Sequence, residues 1–247
     1  MKLSEIFDQL TYGELSQLNL GGGELGEINP INYKQVVAHV NMGLLALFKR
    51  FPLKEGRINI ALQLGRYTYV LNSKYAVSNA ASMEPVKYLL DSIDAPFVDD
   101  IHKIECVFTD TGKEIGLNDE SDYYACSTPS AHVLRICPDI ADMLSDLPDN
   151  LKTTNLEVVY RANHPPIVLG VDPDPTTIEV DLPYSHLEPL LLYVASRVHN
   201  PIGMTNEFHA GNSYAAKYEH SCLQLETINL RVDQGSQNTR LEKNGWV

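Results

Sequence analysis

The sequence predicts an α+β protein: an antiparallel helical bundle with a β-rich insertion and an extended C-terminal arm. Three observations carry this. Apolar residues recur in steps of three and four over residues 31–51 and again over 185–228, the period of a buried helical face. Between these regions the apolar runs are short, alternate with polar residues and are bounded by Gly, Pro and Asp, as strands are. Beyond the last helix, residues 229–247 carry no apolar period, yet they hold the only tryptophan, Trp246. The expected division is a discontinuous helical part (1–53 and 184–228), a β-rich insertion (54–183) and an arm (229–247).

Composition narrows the function classes. A chain of 247 residues with 44% hydrophobic content can bury a sizeable core. Its net charge of −13 opposes wrapping the outside of a duplex, because Lys and Arg must replace the phosphate counterions there. Glu5 and Asp8 interrupt the first apolar residues. No stretch approaches the roughly 20 apolar residues that span a bilayer, so neither export nor membrane insertion is expected. The cysteines, Cys106, Cys126, Cys137 and Cys222, are too widely spaced for a disulfide framework or a CxxC zinc site, and reduced, buried thiols are expected.

Taken in order, residues 4–10 and 13–18 read as two short helical turns, and Gly21-Gly22-Gly23 with Asn29-Pro30 as a connection. In the next helix Val36, Val37, Val40, Leu44, Leu47, Phe48 and Phe51 share one face, and Pro52 ends it. Ile58, Ile60, Leu62 and Leu64 alternate before Gly65-Arg66, followed by Tyr67, Tyr69 and Leu71. That spacing predicts a β-hairpin. Further strands are expected at residues 103–109, with an Asp110-Thr111-Gly112 turn, and at 131–136, 155–160 and 177–182. Short helices are expected at 83–90 and 139–147, the first with Pro85 in its opening turn.

Ser185 and Glu188 have capping-box spacing, and Leu187, Leu190, Leu191, Val194 and Val198 follow on one face. Asn200-Pro201 closes that helix. In the last helix Phe208, Gly211, Ala215, Tyr218, Cys222 and Leu225 recur like a coiled-coil seam. A short connection makes these two helices antiparallel neighbours, with Val40, Leu44, Leu47 and Phe48 expected against Leu191, Val194, Tyr218 and Cys222.

No motif here carries metal, cofactor or catalytic chemistry. His209 and His220 fall on nearly one helical face, but their separation of eleven residues, at ~1.5 Å rise per residue, is too long for joint ligation. His102 and Glu105 lie in a predicted strand, where an odd separation sends side chains to opposite faces. His164 precedes Pro165-Pro166 without a recognisable nucleophile elbow. Gly21 to Gly26 lacks the GK[S/T] chemistry of a phosphate loop. Asp119, Glu120, Asp122, Asp172 and Asp174 lack calcium-loop spacing. No catalytic residue, no metal and no cofactor is therefore expected.

Residues 33–53, Tyr160-Arg161-Ala162-Asn163-His164-Pro165, residues 186–198 and residues 214–230 together resemble the head-to-tail connector (adaptor) proteins of tailed bacteriophages, most like those of short-tailed phages. Arg240-Leu241-Glu242-Lys243-Asn244-Gly245-Trp246-Val247 is similar to the terminal arm of that group. The resemblance implies a structural virion protein rather than an enzyme. It implies a dodecameric ring that docks under the portal protein, joins it to the next tail or nozzle protein and lines the channel for DNA ejection. Assembly would take place in the host cytoplasm, and the mature location would be the head-to-tail interface.

In that reading Arg231, Arg240, Leu241, Lys243, Trp246 and Val247 contact the portal. A polar arm binds by ordering on its partner, and a large aromatic anchor offsets the entropy. An acidic lumen repels phosphates, so genomic DNA passes without specific binding. Two alternatives remain open on sequence: a hydrolase using His164 or the acidic turns, and a monomeric protein-binding module.

Overall fold

A computed structural model describes residues 1–18, 26–63, 65–119, 125–137, 155–170, 173–199 and 205–228, without the side chains of 205–209. The fold is mixed α+β and divides into two compact units, Met1–Leu53 with Pro166–Val247 and Lys54–Pro165. Among the described residues no helix is long and apolar enough to cross a membrane.

The first unit contains α1 (Leu3–Tyr12), α2 (Tyr33–Arg50), α3 (Leu187–His199) and α4 (Thr205–Thr227). The periodicities that predicted α2 and α3 correspond to buried faces: Val36, Val37, Val40, Leu44, Leu47 and Phe48 on α2, and Leu190, Leu191, Val194 and Val198 on α3. These residues share one core with Leu3, Ile6 and Leu10 of α1 and with Tyr218, Cys222 and Leu225 of α4. Gly43 lets α2 approach α3 closely, since a Cβ there would lie 2.7 Å from Leu190 Cδ1 and 3.1 Å from Tyr193 Cδ1.

Several local expectations are corrected. Residues 13–18 form turns rather than a second helix, with the Leu18 amide bonded to the Leu15 carbonyl at 2.8 Å. On α4 the seam runs through Gly211, Tyr218, Cys222 and Leu225, but Ala215 is exposed and Tyr214 turns inward instead. The Ser185–Glu188 capping box does not form. A 3₁₀ turn at Tyr184–His186 precedes α3, Ser185 Oγ pairs with His186 Nδ1 at 3.0 Å, and Glu188 accepts from Ser221 instead. Pro189 thereby falls in the first turn of α3, where its missing N–H costs nothing.

Residues 177–182 do not form a strand, and Thr177 lies in a turn. Lys2 and Glu179 make an isolated bridge. The Met1 ammonium donates to the Val180 carbonyl at 2.9 Å, the Val180 amide donates back to Met1 at 2.7 Å, and the Leu3 amide reaches Ile178 at 2.9 Å. Asn41 exchanges two hydrogen bonds with the Ile167 backbone, at 2.8 and 3.0 Å. Ile167, Val180 and Leu182 consequently belong to the helical core.

The second unit holds a five-stranded antiparallel sheet ordered β3-β1-β8-β4-β5, built from β1 (Glu55–Ala61), β3 (Leu89–Leu90), β4 (Ile101–Thr109), β5 (Glu114–Ile115) and β8 (Asn155–Ala162). A three-stranded sheet is ordered β2-β7-β6, from β2 (Thr68–Val70), β6 (Ser127–Ser130) and β7 (Val133–Arg135). Both sheets contribute to one core, including Ile60, Tyr69, Tyr88, Leu134 and Val158.

The predicted hairpin across Gly65-Arg66 is absent, because β1 and β2 belong to different sheets. β1 runs in full register against β8, from Glu55↔Arg161 to Ala61↔Asn155, and its other side takes β3. β2 then pairs with β7. A side chain makes the cross-connection where a hairpin ladder was expected: the Gln63 amide donates to Tyr69 Oη at 2.8 Å. The expected helix over residues 83–90 is also absent, because Leu89 and Leu90 extend beside β1 and the Tyr88 amide donates to the Tyr75 carbonyl at 3.1 Å. The Asp110-Thr111-Gly112 turn does form, with Gly112 at φ +81° and the Thr109 amide bonded to Lys113 at 2.9 Å. The expected helix over 139–147 and the Gly21-Gly22-Gly23 connection lie outside the described residues.

Candidate functional site

An open groove of about 700 Å³ lies in the helical unit, lined by the turn after α1 and by α3 and α4. At one end the Glu14 carbonyl collects two donors, Tyr214 Oη at 3.2 Å and His199 Nε2 at 3.3 Å. The His199 and Tyr214 rings stack with centroids 5.1 Å apart, and Lys217 Nζ lies 5.2 Å from the Tyr214 ring centre. Burial, and then the Glu14 carboxylate, push the Tyr214 phenol above its ordinary pKa. Among the described residues Glu14 Oε2 is buried without a hydrogen-bond partner. Toward the other end Ser221 Oγ donates to Glu188 Oε2 at 3.4 Å, and His220 Nε2 lies 3.1 Å from Gln224 Nε2.

Ser, His and Glu thus occur together, but not as a nucleophile–base relay. Consecutive residues on a helix point about 100° apart. Ser221 spends its proton on Glu188, while the His220 ring engages Gln224. The groove is polar and carries both charge signs, supplied by Glu14, Glu188 and Lys217.

Beside it, Arg50 at the end of α2 reaches two carboxylates of α4, with Nη1 2.6 Å from Glu219 Oε2 and Nε 2.9 Å from Glu226 Oε1. On the opposite flank of α3, Tyr193 and Tyr218 meet edge to face at 5.3 Å, and the Arg197 guanidinium lies 5.2 Å from the Tyr193 ring centre. Burial, followed by the Arg197 charge, lowers the pKa of His39.

In the β-containing unit several ion pairs link residues of β1, β4 and β8. Glu105 pairs with Arg161 at 2.9 Å and Lys103 at 3.3 Å, and Arg57 bridges Glu55 at 2.9 Å and Glu157 at 3.4 Å. Two register shifts in β4 undo the strict alternation assumed for His102 and Glu105. Ile101, Ile104 and Val107 are buried at steps of three, a spacing that bulges permit and a regular strand does not. Tyr160 Oη donates to Asp100 Oδ1 at 3.1 Å, and burial together with that carboxylate drives the phenol far above its ordinary range.

The expected site residues distribute as follows. Arg231, Arg240, Leu241, Lys243, Trp246 and Val247 lie outside the described residues, as do Glu120, Asp122 and Asp172 and the side chain of His209. His164 is half-buried in a segment without regular structure, its Nδ1 2.5 Å from the Pro165 carbonyl. Asp174 closes a turn, accepting from the Thr176 amide at 2.9 Å and hydroxyl at 2.8 Å. Among the described residues no group of three or more His, Cys, Asp or Glu is arranged to hold a metal. The four cysteines are free thiols, Cys126 and Cys222 buried but Cys106 and Cys137 only half-buried.

Sequence reasoning missed the Arg50 clamp and the Glu14 cluster. Arg50 had one legible signal, its place as the last basic residue of a helix. Glu14 had none, because its partners are 185 and 200 residues distant. No protein-family model matches the chain, and neither does any curated protein.

Proposed function

We propose that the chain is a structural virion protein, a ring-forming head-to-tail adaptor that docks beneath a phage portal, joins it to the tail and lines the DNA exit channel. The observation that carries this reading is the discontinuous helical unit. Met1–Leu53 and Pro166–Val247 form one unit while Lys54–Pro165 forms another, the segmental order by which the chain resembles connector proteins. In this reading α2, α3 and α4 constitute an antiparallel bundle, the β-containing unit is its insertion, and residues 229–247 continue from α4 as the portal-binding arm.

Two further features support it. The arm sequence concentrates Arg231, Arg240 and Lys243 with Leu241, Trp246 and Val247, cationic and apolar anchors suited to an acidic, apolar-lined cleft. The net charge of −13 suits a channel wall along which DNA slides without binding.

The test is assembly with the portal protein of the same virus. Native mass measurement of the mixture should show a closed multiple of this chain on the portal ring. Deleting residues 235–247 should leave the thermal melting of the protein unchanged and abolish that complex, because the described helical core uses none of those side chains. Undiminished portal attachment by the truncated chain would transfer docking to another surface. No complex with the full chain would overturn the reading.

A further inference from the structure

In a chain with 19 basic and 32 acidic residues, α2 contains no Asp or Glu at all. Its outward face is a single stripe, Lys34, Ala38, Met42, Leu45 and Lys49, all exposed and spaced by four, four, three and four residues. Met42 and Leu45 are 47% and 43% exposed at its centre. Neither Lys34 nor Lys49 makes an ion pair among the described residues, whereas Arg50, one residue on, is fully engaged by Glu219 and Glu226. The stripe is thus an apolar centre with an uncommitted cation at each end, the arrangement of a helical docking face with a charged rim.

We infer that this α2 stripe is an interface that binds an acidic surface of a second copy of the same chain. The occupant follows from charge. The rest of an acidic chain offers an abundance of carboxylates, so another copy supplies the complementary partner at no loss of specificity. Symmetry then limits the geometry. Two α2 stripes packed antiparallel about a two-fold axis would set Lys34 against Lys49 at both ends, a like-charge contact. The stripe must therefore meet a different, acid-bearing patch, a contact that closes as a dimer where both pairings fit one two-fold and otherwise propagates from copy to copy until it closes. The inference deepens the adaptor reading by assigning the ring's copy-to-copy contact, and it can be tested apart from portal docking.

The experiment uses the full chain with a photo-crosslinking phenylalanine analogue in place of Leu45, alone and with portal protein, alongside the double variant Lys34→Glu/Lys49→Glu. Crosslinked copies of this chain are expected in both mixtures, with the reactive site joined to an Asp- or Glu-rich peptide. The double variant should melt at the wild-type temperature and lose at least tenfold in self-association. Copy-to-copy crosslinks without any portal complex would sink the adaptor reading and leave this interface standing. A portal complex in which position 45 crosslinks only to portal, or not at all, would overturn the inference. So would wild-type self-association by the charge-reversed variant, or a monomeric wild type under every condition.

Discussion

Arg50 and Glu226 lie 2.9 Å apart, joining the last turn of α2 to the last turn of α4 across 176 residues of sequence. The guanidinium is only 22% exposed and Glu226 24%, while Glu219, the second partner, is 60% exposed. The cation also opposes the negative end of the α2 dipole. Burial works against the charged guanidinium, but the hydrogen bonds it donates to Glu219 and Glu226 outweigh it and hold its pKa above the ordinary value.

Arg50→Met should therefore destabilise the helical unit by about 1 to 2 kcal/mol, more than a fully exposed pair would. Glu219→Gln should cost less than Glu226→Gln, in the order of their exposure. Chemical denaturation of the three variants checks the ranking, and equal effects would mean that burial does not govern this clamp.

Leu47 is completely buried in the core shared by α1, α2, α3 and α4. Leu47→Ala should cost about 2 to 5 kcal/mol, the lost transfer energy plus a residual cavity. Wild-type thermal stability in that variant would displace α2 from the core.

Gly56 is paired with Tyr160 across β1 and β8, and a Cβ at Gly56 would sit 2.3 Å from Tyr160 Cζ. The ring cannot yield freely, because it packs edge-on against Phe97 at 6.2 Å and its hydroxyl is tied to Asp100. Gly56→Ala should cost about 1 to 3 kcal/mol through overpacking. Tyr160→Leu should relieve that penalty in the double variant, which a thermodynamic cycle measures. Strict additivity would refute the contact.

His186 is 2% exposed, its ring edge-on to Phe51 at 4.8 Å, and its Nε2 has no hydrogen-bond partner among the described residues. Burial lowers its pKa from the ordinary 6.5. The unfolded chain therefore takes up a proton at a pH where the folded chain still refuses it. The contribution is fully present above the unfolded value of 6.5 and is lost as pH falls through the lower folded value. His39, also lowered by burial, acts in the same direction. Unfolding free energy measured between pH 7 and 5 should fall with pH, and His186→Phe should flatten that slope. An unchanged slope would assign the acid sensitivity to other groups.

The amino-acid sequence by itself determined the helices that bury a continuous face. Val36 to Phe48 on α2 and Leu190 to Val198 on α3 repeat at the helical period, and that period is a local property legible from neighbours along the chain. It also determined the Asp110-Thr111-Gly112 turn, where Gly112 must take positive φ. Tertiary structure alone decided strand pairing. β1 satisfies its backbone against β8, a hundred residues away where Ile58 lies opposite Val158, which leaves β2 to a second sheet. Periodicity says which face of a strand is buried but not which strand will meet it. The same limit applies to the Glu14–His199–Tyr214 cluster, because hydrogen bonds between distant segments leave no pattern in the sequence around either partner.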